Sequence, residues 1–346
     1  MNGFNILRLL GAFVMIVSAP SLAGAGWREA PLQYLTGAGT RAYPVVHLTW
    51  GVIIISAAVV AIIATLVLIA CLKRNAPLTP DADGRLPVER AGAGVAWIYV
   101  GTAISTLVLL ATSVWTMMAL ADVAQPPSEP AMTIEVHGHQ WWWEVLYVSK
   151  EPSRMFRTAN DIHIPVGVPV RFNLTGDDVI HSFWVPALSG KMDTIPGQTN
   201  SMWLEADKPG TYRGQCTEYC GQQHAHMAFT VTADPPEAFE GWWAHQLEPA
   251  PAPANDSITK GEAVFVTRCG ACHAVGGTDA GGRVGPNLSH LMLRKSIAAG
   301  TLNNNPVQLS AWIADPQHIK PGSFMPRLDI SGPDLAAIRT FLQTLN

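Results

Sequence analysis

Charge is what this chain has least of. Lys, Arg, Asp and Glu make up 14% of its 346 residues, against about a quarter in an ordinary soluble protein. Hydrophobic residues make up 48%, and the mean hydropathy is +0.18. That balance excludes a disordered chain and points to a membrane-attached protein. Cysteine is also scarce: five in 346 residues exclude a disulfide-stapled scaffold. No phosphate-binding glycine loop, hydrolase triad or internal repeat stands above chance, and nucleic acid is not an expected partner.

What is present divides by composition. Arg8, the apolar stretch Leu9 to Ala19 and the small residues Ala23-Gly24-Ala25 predict a signal peptide over 1–25, because the apolar core is short for a bilayer. An uncleaved anchor is the alternative. Val45 to Leu72 carries no charge, and a second apolar run spans Ala91 to Ala121. Each is long enough to cross about 30 Å of hydrocarbon. Lys73, Arg74, Arg85 and Arg90 lie between them, so this loop is expected in the cytoplasm and both outer ends outside. Residues 26–121 thus read as a periplasmic N-terminal segment and a transmembrane hairpin, in a multi-pass protein of the bacterial inner membrane. Cys71, alone in the first run, is expected to be a packing residue.

Asp122 to Ala131, with three prolines, reads as a linker. Residues 122–247 look β-rich. Thr133 to His137 alternates, and Val168 to Leu174, Ser201 to Leu204 and Ala228 to Val231 offer short strands between turns, which predicts a sandwich or Greek-key barrel. Residues 248–256 form a stiff Pro-Ala spacer. Residues 257–346 look small and helical. Helices are expected over Thr259 to Arg268, over Pro306 to Ala314 behind the N-cap Asn305, and over Pro333 to Leu342 behind Ser331.

Two stretches carry chemistry. Cys216, Cys220, His224, His226 and Met227 crowd one short loop with Glu218. Soft sulfur beside imidazole, with a methionine, selects copper over hard cations. A second cysteine suggests two coppers bridged by both sulfurs; a disulfide or an incomplete zinc loop is the alternative. The second stretch is Cys269-Gly270-Ala271-Cys272-His273, the pattern of covalent haem c attachment, with His273 placed to ligate iron. Met325 is the better candidate for the other axial ligand and Met292 the weaker. Gly285-Pro286-Asn287-Leu288 resembles the class I cytochrome c loop whose proline carbonyl orients that histidine.

Two exported redox motifs behind a hairpin resemble subunit II of the haem-copper cytochrome c oxidases, in the caa3 form with a fused C-terminal cytochrome c domain. The residues that carry this are Gly138 to Trp143, His181 to Pro186, Lys191-Met192-Asp193, Ile195-Pro196-Gly197 and the Cys216 to Met227 loop. The resemblance implies a multidomain fold: transmembrane hairpin, cupredoxin-like β-barrel or sandwich, and small all-α class I cytochrome c domain. It implies a dinuclear CuA centre on His181, Cys216, the Glu218 carbonyl, Cys220, His224 and Met227, choosing His224 over His226, which spacing leaves open. Trp141 corresponds to the family's electron-entry aromatic, although a tryptophan packed on the sheet would look the same. The Glu218 carboxylate resembles a ligand to magnesium at the interface with subunit I. Relatives often carry an acidic residue before the second membrane helix, and Glu89 is the nearest here. His137, His139, His163 and His245 are expected to be hydrogen-bonded structure.

Residues 122–254 hold seven Lys and Arg against sixteen Asp and Glu, a net −9, and residues 255–346 eight against six, a net +2 before the propionates of a haem are counted. The acidic part is expected to attract a basic cytochrome or its own haem domain. Neither apolar run holds a histidine cluster, and His47 stands alone at the edge of the first. Oxygen reduction is therefore expected of subunit I, with subunit III a further partner. Electrons from a cytochrome c or similar donor would pass through haem c and CuA. The input subunit of a CuA-containing nitric oxide reductase would use the same ligands. A membrane-tethered copper delivery or storage protein would have no use for Cys-x-x-Cys-His.

Overall fold

The computed structural model describes residues 32–73 and 93–346. The expected signal segment, Glu89 and the basic residues Arg74, Arg85 and Arg90 lie outside them. Two long helices come first, α1 (Tyr43–Leu72) and α2 (Ala93–Ala124). Both are long and apolar enough to cross a membrane. At about 1.5 Å per residue, thirty residues reach well beyond a hydrocarbon core of about 30 Å. α2 runs three residues past the expected Ala121 into the proposed linker, where the first proline is still ahead at Pro126. Their side chains face outward almost throughout, and Cys71 is exposed on α1 instead of packed within the chain.

Arg41 fastens the hairpin to the β-rich domain. Its guanidinium donates from Nε to the Val123 carbonyl at 3.1 Å and from Nη1 to the Trp203 carbonyl at 3.1 Å. Trp203 Nε1 donates to the same Val123 carbonyl at 3.2 Å. The end of α2 and the start of α1 are thereby held on one strand of that domain.

The domain is a two-sheet sandwich of β1 (Met132–His139), β2 (Trp142–Val148), β3 (Phe156–Ala159), β4 (Asp161–Pro165), β5 (Val170–Gly176), β6 (His181–Trp184), β7 (Lys191–Thr194), β8 (Asn200–Leu204), β9 (Gly210–Cys216) and β10 (Ala228–Asp234). One sheet runs β3-β2-β1-β5-β8 and the other β4-β10-β9-β6-β7. Side chains alternate across each strand, so Trp143, Val145 and Tyr147 of β2 point into the core with Ile134 and Val136 of β1. The pairing of Phe183 with Cys216 across β6 and β9 brings His181 beside the cysteine loop. His181 thus opens a strand. Helix α3 (Pro236–Gln246), not anticipated, packs Phe239 and Trp243 on this core.

The C-terminal part has its own core. Its helices are α4 (Asp256–Arg268), α5 (Pro306–Ala314), the single turn α6 (Pro316–Ile319) and α7 (Gly332–Leu342). Asn255, Asn305 and Ser331 each accept bonds from first-turn N–H groups, which satisfies donors that a bare helix end leaves orphaned. α4 crosses α7 at Gly261, where Phe265 and Phe341 meet with ring centroids 5.4 Å apart.

Candidate metal centres

The β9–β10 loop folds its donor atoms into one knot. Cys216 and Cys220 are free thiols with their sulfurs 3.8 Å apart, which removes the disulfide reading. His181 Nδ1 lies 4.0 Å from Cys216 Sγ on one side, and His224 Nδ1 lies 3.5 Å from Cys220 Sγ on the other. Met227 Sδ stands 3.8 Å from Cys220 Sγ, and the Glu218 carbonyl 3.3 Å from Cys216 Sγ. All six atoms expected of the site converge. His226 instead turns its Nδ1 to Gln223 Oε1 at 2.8 Å.

The electrostatics suit a soft cation. The two sulfurs are close enough to share one proton, so Cys216 is drawn down to about 4, chiefly by the Cys220 thiol and then by His181. Cys220, facing that thiolate, is pushed up. Two adjacent sulfurs of which one is already ionised in a buried site favour a thiolate-seeking metal. His181, His224 and Met227 then complete a set that copper prefers, so the residues fit the group. Asp178, which sequence reasoning missed, sets the imidazole direction. Its Oδ1 is 2.8 Å from His181 Nε2 and accepts from the Val179 N–H at 2.6 Å, while its Oδ2 accepts from the Gln140 N–H at 2.6 Å. Burial raises the Asp178 carboxyl, but these bonds more than offset that and hold it below its ordinary value. His181 Nδ1 is left facing the sulfurs.

A cavity of about 280 Å³ opens in the C-terminal domain, lined by Cys269, Cys272, His273 and Met325 together. His273 donates from Nδ1 to the Pro286 carbonyl at 2.8 Å, the contact anticipated for that loop. A side chain at Gly285 would run into the same ring. Burial then pushes the His273 imidazole down, toward the neutral form that ligates metal. Gln317 Nε2 fixes the methionine loop by donating to the Ser323 and Met325 carbonyls at 2.7 Å each. Met292 is partly buried against the core and does not line the cavity, so the geometry favours Met325. Arg294, also unanticipated, lines the cavity with its Nε lacking a partner. A buried orphan donor beside two thiols and an imidazole suits a haem with its carboxylates.

Trp141 belongs to both places. Its indole N–H donates to the Cys220 carbonyl at 3.0 Å, and its ring lines the cavity that holds His273. Only 7% of it is exposed. Among the other histidines, His137 meets Asp177 at 3.2 Å, His163 meets Asp234 at 2.6 Å and His245 meets Glu248 at 3.0 Å, while His139 stacks on Trp142.

Comparison with known proteins agrees with this anatomy. Residues 146–234 match the family described as cytochrome c oxidase subunit II, periplasmic domain, and residues 258–346 match cytochrome c. Cytochrome c oxidase subunit 2 of Alkalihalophilus pseudofirmus is 39% identical over 255 residues, 72% of each chain. That of Bacillus sp. strain PS3 is 37% identical over 63% of this chain and 64% of its own. The crystal structure of the periplasmic domain of subunit II from Bradyrhizobium japonicum is 32% identical, with a TM-score of 0.32 over 34% of this chain and 94% of that one. The chain belongs to the cytochrome c oxidase subunit 2 family, in a form that carries a cytochrome c domain after the copper domain.

Proposed function

We propose that this chain is the electron-entry subunit of a bacterial terminal oxidase. It would take electrons from a cytochrome c-type donor at its haem domain and deliver them through its copper domain to the oxygen-reducing subunit I. Cys269 and Cys272 would hold the haem covalently with His273 and Met325 on its iron. His181, Cys216, the Glu218 carbonyl, Cys220, His224 and Met227 would hold the dinuclear copper. Bound there, haem and copper supply reversible one-electron couples in the range of electron carriers.

The chain's own residues do the rest. The buried sulfurs and the Asp178-held imidazole exclude water and keep the donor set in one arrangement, which limits reorganisation when charge changes. The Pro286 carbonyl and Gln317 do the same for the haem ligands. Tyr219 between the two cysteines is 76% exposed, as fits a loop that docks on a partner. The Glu218 side chain would meet magnesium there. The hairpin would place both redox domains on the periplasmic side, beside subunits I and III.

The observation that carries this reading is Trp141, one side chain bonded to a copper-loop carbonyl and lining the haem cavity. The test is gentle purification of the complex from membranes, with copper EPR, optical haem spectra and gas consumption. A mixed-valence copper pair, a covalent haem c and oxygen uptake are expected. Nitric oxide uptake without oxygen uptake, or a mononuclear copper signal, would overturn it.

A further inference from the structure

Lys320 is a buried lysine at the joint between the two redox domains. It caps α6, five positions before Met325, and is 3% exposed. Its Nζ donates to the Trp141 carbonyl at 2.7 Å, the His226 carbonyl at 2.8 Å and the Ala298 carbonyl at 3.2 Å. An ammonium has three N–H donors and no acceptor, and here each donor has its own carbonyl. No carboxylate pairs with it among the described residues. Taking an ammonium out of water is strongly unfavourable unless it is fully bonded; burial pushes this one down to about 7, and the three carbonyls are what favour its charged form.

Their places in the chain give the arrangement its meaning. Ala298 belongs to the haem domain. Trp141 and His226 belong to the copper domain, and His226 stands between His224 and Met227. The haem-domain segment that leads to Met325 is thus bonded to the copper loop and to the tryptophan that lines both sites. Two further bonds cross the same joint: Gln223 Nε2 donates to the Pro321 carbonyl at 2.8 Å, and Ala228 N–H donates to the Ala299 carbonyl at 3.0 Å. The main chain on either side is held as well as the side chain.

We propose that Lys320 is a positioning residue for electron transfer between the haem and copper sites, whose ammonium makes the haem domain's seat on the copper loop a permanent intramolecular contact. This rests on the electron-relay reading of the chain. A haem domain that merely collided with the copper domain at the end of its Pro-Ala spacer would need a polar, wettable contact face. A desolvated ammonium with no carboxylate partner is the opposite, because each opening would break three charge-assisted hydrogen bonds and each closing would have to dehydrate the charge. The seat also covers Trp141. An external donor would then reach the chain at the outer rim of the haem cavity, where Val284 and Phe324 are 67% and 69% exposed.

The experiment uses the full chain in its complex, with a protease site inserted between Ala252 and Pro253, and compares the native residue with Lys320→Met. That variant keeps the length of the side chain and removes its charge and donors. After cleavage the native haem fragment should remain on the membrane-bound part, whereas the Lys320→Met fragment should wash off. In the uncleaved chains, photoreduction of the haem should be followed by copper reduction that is slower in Lys320→Met by about tenfold or more, with the haem spectrum and copper EPR unchanged. Release of the native fragment, or an unchanged transfer rate in Lys320→Met, would overturn the proposal. If Lys320→Met fails to assemble, retention of the cleaved native fragment decides. Missing haem or copper signals in the native protein would instead count against the relay itself.

Discussion

The Asp178 carboxylate sits between two main-chain N–H groups and the His181 imidazole, and so fixes which ring nitrogen faces the sulfurs. Outer partners of metal-bound histidine change metal affinity by about 10- to 100-fold when removed. Asp178→Ala is therefore expected to weaken copper retention by about that factor, read by competition with a chelator, and to leave the haem spectrum unchanged. Such a residue shows how far the site could be read in the sequence. Cys216, Cys220, His224 and Met227 were legible because one loop carries them at short spacing, and His181 came from the resemblance. Asp178 looks like any acidic turn residue. Lys320 was invisible for a stronger reason: its partners are main-chain carbonyls, two of them 179 and 94 positions away, and carbonyls have no sequence signature.

Elements were legible where a cap or a period marks them. α5 (Pro306–Ala314) has the expected bounds, with Asn305 and Pro306 marking its start. Strands β2, β3, β4, β6, β7 and β9 carry no such mark and were not anticipated. β2 shows why: of its outward residues only Glu144 is polar, while Trp142, Leu146 and Val148 are as apolar as the inward Trp143, Val145 and Tyr147, which erases the period of two. Two helical glycines make opposite predictions from the same substitution. At Gly241 in α3 a methyl group would meet nothing, so Gly241→Ala should stabilise by about 0.5–1 kcal/mol through helix propensity. At Gly261 in α4 it would strike the Ala337 carbonyl and approach Phe341 Cβ. Overpacking against main chain costs about 1–3 kcal/mol and outweighs a propensity gain of about 1 kcal/mol. Gly261→Ala should therefore lower the melting temperature followed at the haem band, and Gly241→Ala should raise the copper domain's.

At the scale of the whole chain, the amino-acid residues of the two redox domains sum to opposite net charge, and the domains meet through a joint that holds basic side chains. Arg294 Nη2 donates to Thr158 Oγ1 at 3.4 Å across the domain boundary, and Arg294 and Lys320 are both buried. Charge seated in a desolvated joint is screened little by salt, whereas charge that guides a partner through water is screened strongly. The two electron transfers should therefore separate on ionic strength. Raising it from about 0.01 M to about 0.1 M shortens the Debye length from about 30 Å to about 10 Å. Reduction of the haem by a basic external cytochrome, drawn by the acidic copper domain of net charge −9 beside the haem domain, should slow by roughly tenfold or more over that range. Transfer from haem to copper within the chain should change by less than about twofold, because nothing diffuses. Stopped-flow mixing measures the first and flash photoreduction the second on one preparation. An external step indifferent to salt would remove steering from the account, and an internal step that slowed with salt would mean that the haem domain leaves its seat between turnovers.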